Sequence, residues 1–178
     1  MIYLKYIFNI LFTLICKLIY RSSFSSFTNE LNITTRLYDC NIGNYNYFGP
    51  GVVINRTIIK NYCSIAPNVV VGGMEHDYSN FSTSTKLYPH KKFKKTVIQD
   101  DVWIGANAVI RTGLTIGKGS IIGANSVVLK DIPPMSIVVG NPGRIKKNRF
   151  TDVLKEKKFM KIDFSETPIN IHASFKSQ

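Results

Sequence analysis

Histidine is the side chain best suited to taking a proton from a hydroxyl near neutral pH, and this chain has three: His76, His90 and His172. His76 stands in GGMEHDYSNFSTS, where a regular sequence pattern breaks off. Such a base serves any reaction in which a hydroxyl oxygen becomes a nucleophile, provided the reactants are held in line. Taken by itself, a lone histidine reads as structural. Glu75 and Asp77 flank it, but neighbours on a strand face opposite ways, so neither is expected to orient the ring. A more distant carbonyl or carboxylate could do so. His90, inside the segment DYSNFSTSTKLYPHKKFKK, and His172, near the end, read as incidental.

Cys16, Cys40 and Cys63 form no close pair, which points to neither a disulfide framework nor a four-ligand zinc site. No metal is expected. The net charge of +12 and isoelectric point near 9.7 come from cations gathered in two places. One is Lys91, Lys92, Lys94 and Lys95; the other holds eight Lys/Arg from Arg144 to Lys161. No helix-turn-helix, finger or RNP pattern accompanies them, so nucleic acid is not an expected partner. A solvated face, or a site for an anionic small molecule or phosphate-bearing surface, fits these cations better.

The element that must position any such chemistry runs from Ile98 to Pro133, and cut into sixes it reads IQDDVW IGANAV IRTGLT IGKGSI IGANSV VLKDIP. Each hexad opens on a β-branched aliphatic: Ile98, Ile104, Ile110, Ile116, Ile122 and Val128. A period of six fits neither an amphipathic helix nor a half-buried strand. It fits a β-solenoid, in which each hexad is a short strand and a turn, and every third hexad stacks on one face. Small residues at the inward-tending positions Ala108, Ser120 and Ser126 agree.

The flanks are less regular. Residues 1–20, MIYLKYIFNILFTLICKLIY, are apolar but broken by Lys5 and Lys17. As a helix they carry Lys5, Asn9, Thr13 and Lys17 as a narrow polar stripe, with Ile2, Tyr6, Ile10, Leu14 and Leu18 opposite. Three readings stay open: a cap on the open end of the solenoid, a helix lying in a membrane surface with its lysines toward headgroups, and a span or export signal. Residues 21–36 read as a polar connection, and solenoid character begins near Leu37. One hexad near Ile54 has five residues, a slip that a corner can absorb. The register then fails, and residues 77–95 form an excursion thrown out of the coil. The solenoid is expected to stop beyond Val128, with a last short strand from Ser136 to Val139 and a turn at Gly140-Asn141-Pro142-Gly143. Thr151 could cap a short helix, and residues 164–178 read as a frayed tail. The organisation is therefore a helix at 1–20, a β-helix domain at 37–142 and a basic C-terminal helix and tail at 143–178.

The run DVWIGANAVIRTGLTIGKGSIIGANSVVLKDIPPMSIVVGNPGRI resembles the hexapeptide-repeat acyltransferases, which fold as a left-handed parallel β-helix. The resemblance spans roughly Leu37 to Arg149, and lies with galactoside and maltose acetyltransferases, xenobiotic acetyltransferases and polysaccharide O-acetyltransferases. Left-handedness comes from this resemblance alone, since crossover preference would argue for the right hand. The resemblance implies that His76 is the catalytic general base. It implies acetyl-CoA as acyl donor, bound by Trp103 near the substrate pocket, Ala106 and Ala124 along the pantetheine arm, Lys130 on the path, and Arg144 and Lys147 at the phosphates. Those last two, three apart, could reach one anion from a turn or helix. It further implies a homotrimer with active sites between subunits, which would cover outward residues such as Val109 and Val127.

The acceptor is expected to be a hydroxyl of a sugar or surface-polysaccharide precursor, because the excursion carries aromatic rings, hydroxyls and lysines. A xenobiotic acceptor of the streptogramin or chloramphenicol type is the alternative. Serine acetylation and an inactive scaffold follow behind, and a nucleotidyltransferase is disfavoured for want of a glycine-rich loop. A cytoplasmic enzyme near the inner face of a membrane is the expected setting.

Overall fold

The computed structural model describes residues 2–19, 21–73, 75–88 and 94–176. Its centre is a parallel solenoid of three faces, the left-handed parallel β-helix that the resemblance implies. The first face stacks Ser23–Phe24, Asn41–Ile42, Thr57–Ile59, Thr96–Ile98 and Thr115–Ile116. The second stacks Tyr47–Phe48, Ser64–Ile65, Trp103–Ile104, Ile121–Ile122 and Ser136–Val139, with Arg144–Asn148 added antiparallel at its edge. The third stacks Arg36–Tyr38, Val53–Asn55, Val70–Val71, Val109–Ile110 and Val127–Val128.

The hexad repeat becomes a column of side chains. Ile98 pairs with Ile116, Ile104 with Ile122 and Ile110 with Val128, each eighteen residues on. These openers are buried to within about a hundredth of their surface. Each contributes on the order of 1.5–3 kcal/mol by leaving water. After Ile104 on the second face the next residue must be small: a Cβ on Gly105 would stand 2.6 Å from the Ala124 nitrogen of the next coil. Corners need left-handed backbone, and the second corner, between the second and third faces, supplies it with Asn68, Asn107 and Asn125 at φ of 58–59°, asparagine tolerating that region well. Ser120 and Ser126 are fully buried, and their hydroxyls accept from the Ser136 and Gly140 amides of the following coil.

Several boundaries differ from the sequence reading. The first coil opens at Ser23, not Leu37, because Ser23 and Phe24 pair with Asn41 and Ile42 and Glu30 bridges to Tyr47. Its inward residues Phe24, Leu31 and Leu37 are unevenly spaced, which hid them. The five-residue step occurs twice, from Leu37 to Ile42 and from Ile54 to Ile59, both at the third corner, between the third and first faces. The excursion leaves from that same corner, after Val71 and before Thr96. At the other end the stack continues past Val128: Ile132 bridges to Ile116, and Val138 pairs with Ile122.

Three helices complete the chain. α1, Ile2–Ile19, closes the first coil, with Phe12 and Cys16 in the core beside Phe24, Leu31 and Leu37. The middle of the stripe read as polar turns inward: Asn9 and Thr13 are buried, Asn9 Oδ1 accepts from the Leu31 amide at 3.4 Å, and Lys17 stays exposed. α2, Val153–Met160, is capped by Asp152, not Thr151, whose carboxylate accepts from the Leu154 and Lys155 amides. The expected tail is instead ordered as α3, Pro168–Lys176. Phe159, Phe164, Ile171 and Met135 bury one another in a second small core along the first corner, between the first and second faces. That burial supplies the stability a polar tail of this length lacks.

Candidate active site

His76 lies on the excursion from the third corner, exposed, just after a coil whose last strand is Val70–Val71. Its Nδ1 is 2.5 Å from the carbonyl oxygen of Thr83. A carbonyl can only accept, so Nδ1 carries the proton of this contact, and Nε2 is left as the ring nitrogen that could serve as a base. The orienting group is thus a backbone carbonyl within the same loop. The loop holds its shape locally: Asp77 accepts from the amide and hydroxyl of Ser79, and the Tyr88 amide donates to the Ser84 carbonyl. Glu75 reaches the solenoid, its carboxylate 3.6 Å from Nε of Arg111, which ties the residue before His76 to the next coil. His172 sits on α3 against Phe175, away from this corner. His90 lies outside the described residues, with Lys91 and Lys92.

Below the excursion, Lys94, Arg111 and Lys130 line a groove of about 420 Å³ floored by Thr112, Gly113 and Leu129. The single acid there, Asp131, is engaged by the Thr115 amide. The groove is therefore cationic. Sequence reasoning singled out Lys130 and counted Lys94 in a cation cluster suited to an anion, but passed over Arg111. The hexad register places Arg111 one residue past the Ile110 opener, on the corner the excursion leaves, and that was the available signal.

The other expected ligand residues gather elsewhere. Ala106 and Ala124 stack on the second corner, the Asn125 amide donating to the Ala106 carbonyl at 2.9 Å. Trp103 projects from the second face, 53% exposed, in a row with Ser64 and Ile121. Arg144 and Lys147 stand on an edge strand, not on a turn or helix. Three apart on a regular strand, they would face opposite ways. A bulge corrects this: Arg144 pairs with Val139 and Lys147 with Ile137, two residues apart on the neighbouring strand, so both cations share its outward face.

One chain therefore carries the expected site residues in two groups. The third corner holds His76 and Lys130, and the second face and corner hold Trp103, Ala106, Ala124, Arg144 and Lys147. Between them lies the third face with its outward row Val53, Val70, Val109 and Val127. A larger cavity, about 560 Å³, lies on the first corner among Asp101, Arg149, Phe150, Phe159 and Phe164, apart from both groups. Burial there pushes the Asp101 carboxyl up, against the pull of the Arg149 guanidinium 2.7 Å away.

A sequence family described as bacterial transferase hexapeptide (six repeats) matches residues 95–130. A probable macrolide acetyltransferase of Lysinibacillus sphaericus is 35% identical over 136 residues, covering 68% of this chain and 73% of that one. The chain belongs to the hexapeptide-repeat transferase family. Chloramphenicol acetyltransferase of Klebsiella aerogenes is 38% identical over 114 residues, 56% of this hexapeptide-repeat chain. The chain spans about half that relative's length, 54%. Among solved structures, a hexapeptide-repeat-containing acetyltransferase of Vibrio cholerae O1 biovar eltor, complexed with acetyl-CoA, superposes with a TM-score of 0.56 at 32% identity. That match covers 67% of this chain and 63% of the other. The solved neighbour thus shares the hexapeptide-repeat scaffold.

Proposed function

We propose that this protein is an acetyl-CoA-dependent O-acetyltransferase whose acceptor is a hydroxyl of a sugar or surface-polysaccharide precursor. The observation that carries the reading is the imidazole held by the Thr83 carbonyl, next in sequence to the Glu75 that pairs with Arg111 of the cationic groove, on a scaffold shared with acetyltransferases. His76 Nε2 takes the proton of the acceptor hydroxyl as its oxygen attacks the thioester carbonyl. The tetrahedral oxyanion collapses and expels the CoA thiolate, which recovers the proton from the imidazolium. Products are the acetyl ester and free CoA thiol, and the residues in hand call for no metal.

The acyl donor would run between Ala106 and Ala124, where small side chains let a thin arm approach backbone, and Arg144 and Lys147, whose shared face suits phosphate. Because His76 and Lys130 sit on a different corner from these residues, a complete site needs two copies of the chain. A homotrimer supplies that and covers the valine row of the third face. A cytoplasmic setting belongs to the same reading.

A xenobiotic acceptor is the second reading, favoured by relatives named as chloramphenicol and macrolide acetyltransferases. Free-thiol release with acetyl-CoA and a panel of glycans, chloramphenicol and macrolides separates the two by which acceptor turns over. On the best acceptor, His76→Ala should lower turnover by about 100-fold to 10,000-fold with acetyl-CoA affinity nearly unchanged. His172→Ala serves as control. Normal turnover by His76→Ala would remove the histidine from the chemistry.

A further inference from the structure

α1 caps the solenoid the wrong way round for a helix that ends in water. Its polar residues Asn9 and Thr13 face the first coil, while Ile7, Leu11, Leu14, Ile15 and Leu18 face out, between 45% and 87% exposed. These five recur at helical spacing and form one continuous stripe. Capping the core would need only the inward residues, Phe12 and Cys16 among them, so the outward stripe is left without a use in the fold. An apolar stripe of that extent marks an interaction surface.

The charge around it narrows the partner. From the start of the chain to Tyr38 there are four cations, Lys5, Lys17, Arg21 and Arg36, against one acid, Glu30. Arg21 and Arg36 are exposed, and Lys17 stands 5.5 Å above the Phe27 ring. The helix has 18 residues, which span about 27 Å, yet no helix among the described residues is long and apolar enough to cross a membrane. An apolar stripe flanked by cations on a helix that cannot span is suited to lying in an anionic interface.

We propose that α1 docks this protein on the surface of an anionic lipid bilayer, with Leu11, Leu14 and Leu18 seated at the boundary between headgroups and acyl chains. The solenoid then stands off the membrane by its first coil, and the inward Asn9 stays bonded to Leu31 throughout. This inference is independent of the acetyl-transfer reading.

Vesicle flotation tests it with the full chain. The protein should float with vesicles of mixed phosphatidylglycerol and phosphatidylcholine, more weakly with phosphatidylcholine alone, and less as salt rises. The double variant Leu11→Glu, Leu18→Glu changes exposed positions only, so circular dichroism and light scattering should report the same fold and mass. Its vesicle affinity should fall by about 100-fold or more. His76→Ala should float like the wild type, which keeps this outcome separate from any failure of catalysis. The proposal is overturned if the wild type ignores phosphatidylglycerol vesicles, or if the double variant binds them undiminished. It is equally overturned if the double variant lowers the particle mass of a protein that never floats, for the stripe then seats a second copy.

Discussion

At the scale of single residues, the side chains that matter are set by backbone around them. The Thr83 carbonyl fixes the tautomer of His76, which the sequence could not disclose because a carbonyl has no letter of its own. The bulge in the edge strand similarly decides where Arg144 and Lys147 point. Their identities were legible from GNPGRIKK; their common face was not, since one extra residue reverses the alternation of a strand. Replacing both by alanine should weaken acetyl-CoA binding by more than it weakens dephospho-CoA binding. Each charge-assisted contact is worth about 1.5–3 kcal/mol and acts only where phosphate is present. Calorimetric titration with the two ligands checks this; equal weakening would move the pair from the 3′-phosphate, which dephospho-CoA lacks, to the diphosphate, and no weakening of either would make it ordinary surface charge.

At the scale of elements, the hexads from Ile98 to Val128 were readable because every position in them answers to a separate demand: a branched core residue, a glycine under the next coil, a small residue at the corner. Phe24, Leu31 and Leu37 do the same work with irregular spacing, so no period announced them. α1 was legible as a helix, but its orientation was not. Burying Asn9 against a backbone amide reverses what amphipathicity alone predicts. The coil interior also sets the protein's response to alkali. Cys40 and Cys63 are buried inward residues; burial raises the Cys40 thiol to about 11 and the Cys63 thiol higher still. In the unfolded chain both ionise near 9 while the folded thiols stay protonated, so stability is full below pH 9 and falls as pH rises above it. The loss should be about 1.4 kcal/mol per pH unit for each thiol. Denaturant melts between pH 8 and pH 10.5 check it, and a flat stability across that range would mean the thiols are open to solvent. The same burial predicts that native protein resists thiol reagents at pH 8, which keeps a free-thiol assay clean.

For the whole molecule, the decisive feature is that the residues assigned to the proposed acetyl transfer lie on two corners of one prism, separated by a face of valines. Sequence order alone puts His76, Ala106, Ala124 and Lys130 along one strip. Only the stacking of every third hexad sends them to different edges. A subunit-mixing experiment tests the consequence. His76→Ala removes the base, and Ala124→Tyr, at an exposed corner, blocks the proposed path of the acyl donor without disturbing the core. Each variant alone should be nearly inactive. Mixed as equal parts, unfolded and refolded together, they should regain about a quarter of wild-type turnover, because an interface pairing intact His76 from one chain with intact Ala124 from its neighbour forms about one time in four. A mixture as inactive as its two components would contradict a site shared between chains.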